Sequence, residues 1–337
     1  MKTAYVGIIS CTEDVHADEV EKYASKKVNV YRLDSDGFPS SLNQVEIRSQ
    51  SADFVLSKGV NKIHLDKLTS LWYRKPAYPL DSFSSDNIGA VLAHKYKIQE
   101  TKAVFDSLMY TAEKRGVFLV SPLASITRAR HKLYQLMLAE ETGLKTPKTL
   151  VASDVKLAEE FITIHGGEVI TKVLDAGNIN YGDKWLSFFT YPLTLNKFKQ
   201  KFKKMKTIDY PLFLQEKIEK KLELRITVIG NKIFACSIDS QANKQSQIDF
   251  RMVDPYKLKH EPFSLDTQIK KMCFELCSRL NLQFGAIDMA LTKEGEYVFF
   301  EINPNGQYLW IEDLTGMPLS KAMADLLTNP ADNMLRA

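Results

Sequence analysis

The stretch from residue 284 to 306 leaves this chain few ways to fold. Phe284-Gly-Ala-Ile-Asp-Met-Ala-Leu291 and Tyr297-Val-Phe-Phe-Glu-Ile-Asn303 are short apolar runs of strand-forming residues, and Gly295 between them suits a hairpin turn. A period of two places Phe299, Glu301 and Asn303 on one face, while Asp288 shares its face with the small residues Ala286 and Ala290. Closing the hairpin sets Asp288 opposite Glu301. Two carboxylates and an amide oxygen on an apolar sheet would cost on the order of several kcal/mol per ion if buried unpaired. A hard cation removes that cost, and oxygen-only ligands suit Mg²⁺, which completes its octahedron with water and phosphate oxygens. The alternative, an edge hairpin with solvated acids, fits poorly with the Tyr-Val-Phe-Phe that leads into Glu301. Asp288, Glu301 and Asn303 are therefore the expected metal ligands.

With 337 residues, the chain is long enough for two or three domains. It opens as an α/β unit: a strand over 3–10, a helix over 13–27, a strand over 28–33. A turn-rich meander spans 34–67. The next strand, 68–74, ends at Trp72-Tyr-Arg-Lys-Pro76, whose Arg74 and Lys75 read as an exposed cation pair, either a substrate contact or a surface turn. A long helix over 88–114 and a short strand over 117–120 put the first boundary near residue 120.

Beyond it the spacing predicts one helix over 127–141, with Lys132 on its first turns and Gly143 after its end. Ser153 is the expected N-cap of a second helix. A strand over 168–174 carries Lys172 among apolar neighbours, where it either snorkels to the surface or meets a phosphate. The loop 175–182, with two glycines, follows it. A strand over 184–191 precedes a lysine-studded helix over 194–206, either a solvated face or a surface that attracts an acidic partner. Strands over 211–218, 223–229 and 232–240 come next, and Glu223 and Arg225 share one face. A helix over 266–280 packs through Ile269, Met272, Cys273, Leu276 and Leu280, and a last helix spans 318–327.

Composition excludes several classes. Hydrophobic residues make up 45% and charged residues 26%, as in ordinary globular proteins, and no apolar run reaches membrane-spanning length. The first residues begin as a strand rather than a signal peptide, so a cytoplasmic location without a membrane partner is expected. Four cysteines without a Cys-x-x-Cys pair and six scattered histidines predict neither disulfides nor zinc. The net charge of +4 accommodates an anionic ligand but gives no ground for a nucleic-acid partner. No Gly-x-x-x-x-Gly-Lys-[Ser/Thr] phosphate loop occurs.

Two lysines, a polar strand end, an acid and an arginine on one strand, a second arginine and a metal trio are the inventory of a nucleoside-triphosphate site built without that loop. From residue 121 to 327 the chain resembles the ATP-grasp superfamily. The resemblance rests on Arg-His-Lys132, Gly143-Leu-x-x-Pro147-x-Thr149, Val-Ile-Thr-Lys172, Gln215-Glu-Lys-Ile218, Leu-Glu-Leu-Arg225-Ile-Thr-Val, Gly-Ala-Ile-Asp288 and Phe-Glu301-Ile-Asn303-Pro-Asn-Gly306. Asn303-Pro-Asn-Gly-Gln-Tyr-Leu-Trp310-Ile-Glu, Ser240-Gln241, Asp249-Phe-Arg251 and Leu-Trp72-Tyr-Arg-Lys-Pro76 make it most similar to the microviridin-type (graspetide) peptide ligases. One departure is Phe250, where the family pattern has Trp.

The resemblance implies an α/β (α+β) ATP-grasp fold: two subdomains, 121–210 and 211–330, that clasp ATP, preceded by a divergent pre-ATP-grasp domain over 1–120. By it, Lys132 and Lys172 contact the phosphates, Gln215, Glu216, Lys217 and Ile218 line the adenine hinge, and Glu223 holds the ribose. Asp288, Glu301 and Asn303 bind Mg²⁺, while Arg225 and Arg251 stabilise an acyl phosphate and its tetrahedral successor. The implied substrate is an acidic ribosomal precursor peptide with leader and core, whose Glu or Asp side chains are joined to Thr or Ser hydroxyls or Lys amines. The implied assembly is a homodimer. A carboxylate–amine ligase for small molecules or single amino acids would share every nucleotide and metal residue, and a non-catalytic nucleotide-binding module would share most of them.

Overall fold

The computed structural model describes residues 5–38, 44–48, 53–58, 61–78, 87–174, 178–181 and 184–336. The chain opens with β1 (Tyr5–Ser10), α1 (Val15–Ala24) and β2 (Asn29–Asp34), and the Asp14 side chain caps α1 by accepting the His16 backbone N–H. β3 (Gln44–Arg48), β4 (Asp53–Lys58) and β5 (Asn61–His64) form the antiparallel meander. β6 (Leu68–Tyr73), α2 (Ile88–Lys114) and β7 (Phe118–Val120) complete a parallel sheet of order β2-β1-β6-β7. Its β6 end carries Arg74.

The helix predicted over 127–141 is in fact two, α3 (Leu123–Ala129) and α4 (Lys132–Glu141). Side-chain bonding accompanies the break at Arg130 and His131. Gln135 donates to Ala129 O and, at 2.9 Å, to Ile302 O, and it accepts the Ile302 N–H at 3.0 Å, so α4 is pinned to a distant strand.

β8 (Thr149–Asp154) runs into α5 (Val155–Ile164). Asp154 rather than Ser153 caps that helix, accepting Leu157 N–H at 2.9 Å, because α5 begins at Val155, directly after it. β9 (Glu168–Thr171) stops before Lys172, so that lysine lies past the strand end and not within it. β10 (Asn178–Tyr181) and β11 (Lys184–Ser187) pair as a hairpin, and β12 (Tyr191–Thr194) is separate, so the strand expected over 184–191 is two. Of the loop 175–182, residues 175–177 and 182 lie outside the described residues. α6 (Leu195–Lys201) is shorter than expected, and Lys204 beyond it turns with φ +69°.

β13 (Thr207–Glu216) joins the sheet β12-β9-β13-β8. The boundary expected at 210/211 would cut this strand, and we propose residues 217–219 as the junction instead. β14 (Lys220–Ile229), β15 (Lys232–Ile238), β16 (His260–Pro262), α7 (Thr267–Arg279), β17 (Phe284–Thr292) and β18 (Tyr297–Asn303) follow, and the antiparallel sheet order is β16-β15-β14-β17-β18. α8 (Leu309–Thr315), α9 (Leu319–Thr328) and α10 (Pro330–Asn333) close the chain.

α4 and α7 cover one face of the last sheet, where Leu136, Ala139 and Leu276 meet Ile226, Ile287 and Met289. Cys273 and Cys277 are free and buried in this core, which is packing and not redox chemistry. α9 joins the two ends of the chain: Met323, Leu326 and Leu327 pack with Val20 and Ala24 of α1 and with Phe284 of β17. Asp325 on the same helix takes Lys27 at 2.6 Å, Lys321 at 3.1 Å and Lys232 at 3.2 Å, and these ammonium groups, overcoming the effect of partial burial, hold its pKa at about 2. The first and last sheets are thereby fastened together, which matters for the site.

Candidate active site

The site is built on the β14, β17 and β18 strands of the last sheet. Asp288 and Glu301 are direct register partners, and Asn303 pairs with Ala286. The register shifts between Asp288 and Met289, because Met289 pairs with Phe299 and leaves Phe300 as an extra residue on β18. This bulge corrects the simple alternation read from sequence. Phe299 turns into the core with Met289, whereas Phe300 and Glu301 both line the cavity.

Arg225 is the β14 partner of Asp288, and its Nη1 donates to Asp288 Oδ1 at 2.8 Å. Its Nη2 donates to Gln307 O at 3.0 Å, just past the hairpin. Gly306 permits this approach, since a Cβ there would stand 2.4 Å from the Ala286 Cβ and 3.0 Å from Arg225 Nη2. Lys132, at the start of α4, reaches to 3.8 Å from Glu301 and donates to Leu174 O at 3.3 Å. Lys172 lies 5.4 Å above the Phe213 ring.

The two carboxyls are held differently. Burial raises the pKa of Asp288 and outweighs its arginine partner, whereas Lys172, Lys132, Arg251 and Arg225 overcome burial and hold Glu301 below the usual carboxylate range. Burial lowers the pKa of Lys172, and Glu301 opposes that effect.

Among the described residues no cluster of three His, Cys, Asp or Glu side chains forms a metal site. The donor set here is instead two carboxylates and an amide, all oxygen. It fits a hard divalent cation that takes its remaining ligands from water and phosphate, as Mg²⁺ does.

A cavity of about 150 Å³ extends from Asp288 and Glu301 along Phe300 and Glu223 to Glu216, Lys217 and Ile218. Gln215, the first hinge residue expected from sequence, does not line it. It is fully buried and donates to Thr149 Oγ1 at 2.9 Å. Glu216 accepts Lys148 N–H at 2.9 Å, and Lys217 pairs with Glu168 at 2.6 Å, so these two hinge side chains brace the neighbouring segments.

Glu223 is buried, and Lys220 donates to it at 2.8 Å and to Ile248 O at 3.0 Å. Sequence reasoning missed Lys220. Three residues apart on a regular strand, it and Glu223 would face opposite ways, but a register shift between Lys220 and Leu222 turns both to the same side. Only a lysine so near an acid hinted at the pair. Arg251 is held by Asp249 through Nε at 2.8 Å and Nη2 at 2.6 Å, and Asp249 also accepts the Thr190 N–H at 3.2 Å from the neighbouring subdomain.

A second cavity, about 490 Å³, opens on the other side of Glu301 and Arg251. Lys75, Lys102, Arg130 and Lys132 line it, together with Asn303 and Asn305. Lys75 is exposed here, as expected of one member of the cation pair. Arg74 is not an exposed cation: it is 1% exposed, donates through Nη1 to Asn305 O and lies 3.6 Å from Asp14. The turn after β18 covers the end of β6, which a local reading of β6 cannot foresee.

Residues 5–126 match the family model of the MvdD pre-ATP grasp domain, and residues 127–327 match that of the RimK-like ATP-grasp domain. A search of curated protein sequences gave no match. A Chryseobacterium gregarium RiPP-associated ATP-grasp ligase, solved with ADP and with a leader and core peptide, is similar over 97% of both chains at 28% identity and a TM-score of 0.83. Macrocyclase MdnC of Microcystis aeruginosa MRC, solved with precursor peptide MdnA, is 27% identical with a TM-score of 0.79, over 96% of this chain and 99% of that one. Macrocyclase MdnB of the same organism is 26% identical over the same shares, with a TM-score of 0.73.

Proposed function

This chain belongs to the RimK-like ATP-grasp family and is an ATP-grasp ligase, and from that premise we propose that it closes rings in an acidic precursor peptide. The carrying observation is that Glu301 and Arg251 line both cavities. The first cavity and the basic chamber therefore meet at Glu301 of the proposed metal trio, where a phosphoryl donor and an acidic acceptor have to meet.

Bound ATP with Mg²⁺ supplies the phosphoryl group and the neutralisation of its charge. We assign Asp288, Glu301 and Asn303 to hold the cation, Lys132 and Lys172 to the phosphate oxygens, the 216–218 backbone to the base, and Glu223 to the ribose. Lys75, Lys102 and Arg130 orient the acidic side chain of the peptide. Its carboxylate takes the γ-phosphoryl group, giving an acyl phosphate and ADP. A Thr or Ser hydroxyl, or a Lys amine, of the same peptide then displaces phosphate, and the ester or amide forms with net loss of one water per ring. Arg225 and Arg251, each already aligned by a carboxylate, stabilise the charge on the reacting acyl group. Because both groups belong to one bound peptide, alignment can offset up to about 7 to 11 kcal/mol of barrier. The family resemblance also supports a homodimer, which light scattering would check.

The test is mass spectrometry of acidic peptides encoded beside this protein, incubated with it, ATP and Mg²⁺. ATP-dependent loss of one water per ring supports ring closure. A mass gain would mean that a separate amine is ligated, and no change with any such peptide would redirect the assignment to a small acid.

A further inference from the structure

The reaction just described uses nothing from α1, yet a buried histidine there bonds to the backbone just beyond the metal hairpin. His16 is 5% exposed, and its Nε2 accepts two amides from far along the chain, Tyr308 N–H at 3.0 Å and Leu309 N–H at 3.2 Å. Accepting both requires a bare Nε2, so the ring proton sits on Nδ1, which lies 3.3 Å from Asp14 Oδ1. The Tyr308 ring meets the imidazole edge-on at 4.9 Å.

Behind the histidine, Asp14 accepts the Ser10 hydroxyl and faces Arg74, which donates to Asn305 O. Two side chains of the N-terminal domain, His16 in the first turn of α1 and Arg74 at the end of β6, thus grip residues 305, 308 and 309, and Asp14, itself held by Ser10, stands behind both. Between those grips Gln307 O accepts Arg225, and on the hairpin side Asn305 N–H donates to Asn303 Oδ1 at 2.9 Å. α8 begins at Leu309 without a side-chain cap from its own Tyr308. His16 supplies the missing acceptor from another domain.

We propose that His16 is a positioning residue for the ligase reaction: by accepting the Tyr308 and Leu309 amides it fixes the turn 303–309, and through that turn it sets Arg225 and Asn303 against the nucleotide. The inference rests on assigning Arg225 and Asn303 to the site. It makes the N-terminal domain a structural part of the catalytic centre as well as a wall of the peptide chamber.

Two substitutions separate this role from simple packing. In His16→Gln the side-chain carbonyl oxygen reaches the position of Nε2, whereas in His16→Asn it reaches only that of Nδ1; both lose the ring. Hydrogen exchange of the ligand-free protein should show faster exchange over 305–309 in H16N and near-native exchange in H16Q. In calorimetry with ADP, H16N should need more Mg²⁺ for the same binding, and turnover should fall on the order of 10- to 100-fold, the scale of losses when groups behind metal ligands are removed. H16Q should restore both. Equal behaviour of the two variants would overturn the proposal, as would faster exchange in H16N with unchanged Mg²⁺ dependence and turnover. If H16N does not fold, H16Q still decides: native exchange with a tenfold loss of turnover refutes the role. Exchange and Mg²⁺-dependent ADP binding need no peptide, so a wrong substrate assignment would leave this test standing.

Discussion

The two cavities that share Glu301 and Arg251 differ in how fully their charges are partnered. On the nucleotide side the charges come with partners: Arg225 with Asp288, Lys220 with Glu223, Arg251 with Asp249. On the chamber side Lys102 pairs with Asp106 and Lys132 lies 3.8 Å from Glu301, whereas Lys75 and Arg130 form no ion pair among the described residues. A pair with a buried member keeps a fixed geometry because leaving that buried charge alone is costly. Cations without partners keep their attraction for an incoming acid. The first cavity is thus organised before its ligand arrives, and the second is completed by its ligand.

The comparison can be broken most severely at the metal trio. Asp288→Asn or Glu301→Gln should lower ADP release on the order of 100- to 1000-fold. Near-normal activity in either with Mg²⁺ would remove the central assignment. Asp288→Ala is a different experiment. It strands the Arg225 guanidinium in a mostly buried site, and denaturant titration should show a loss of about 3 to 5 kcal/mol.

Lys220→Met tests the same plan at Glu223. Burial already raises the pKa of Glu223, with Lys220 opposing it; without the lysine the carboxyl should protonate more readily. A raised folded pKa gives stability that is present at low pH and lost as pH rises through it. The variant should therefore be weakest, relative to the parent, on the alkaline side of that pKa. A uniform loss at all pH values would argue against the pairing.

On the chamber side, Lys75→Glu with Arg130→Glu should raise KM for an acidic peptide about tenfold while ADP affinity stays constant. Should the two affinities fall together, the chamber belongs to the nucleotide and the contrast collapses. The smallest effect is expected far from both cavities. Asp325, held at about 2 against an ordinary 3.8, contributes stability that is present above the ordinary value and lost as pH falls toward 2. Asp325→Asn should flatten that acid limb of the melting curve and leave turnover near pH 7 unchanged.

Much of this was legible in the residues. Alternation predicts Asp288 opposite Glu301, and the helix over 88–114 has the bounds that its pattern suggests. Alternation fails at the two bulges, at Phe300 and beside Lys220, because one extra residue reverses every face that follows. The break between α3 and α4 was hidden for a related reason: the Gln135 bonds that accompany it reach Ile302, outside any local window.

By itself the sequence determined which groups could do chemistry here: the oxygen donors, the lysines, the two arginines, and the hairpin that brings the acids together. These follow from residue type and short spacing, which act within a few residues along the chain. Tertiary structure alone decided that Arg74 is buried under a turn 231 residues away and that His16 holds amides 292 and 293 residues away. A strand end and a helix start look solvent-facing in isolation, and whether they are depends on what the far end of the chain lays over them.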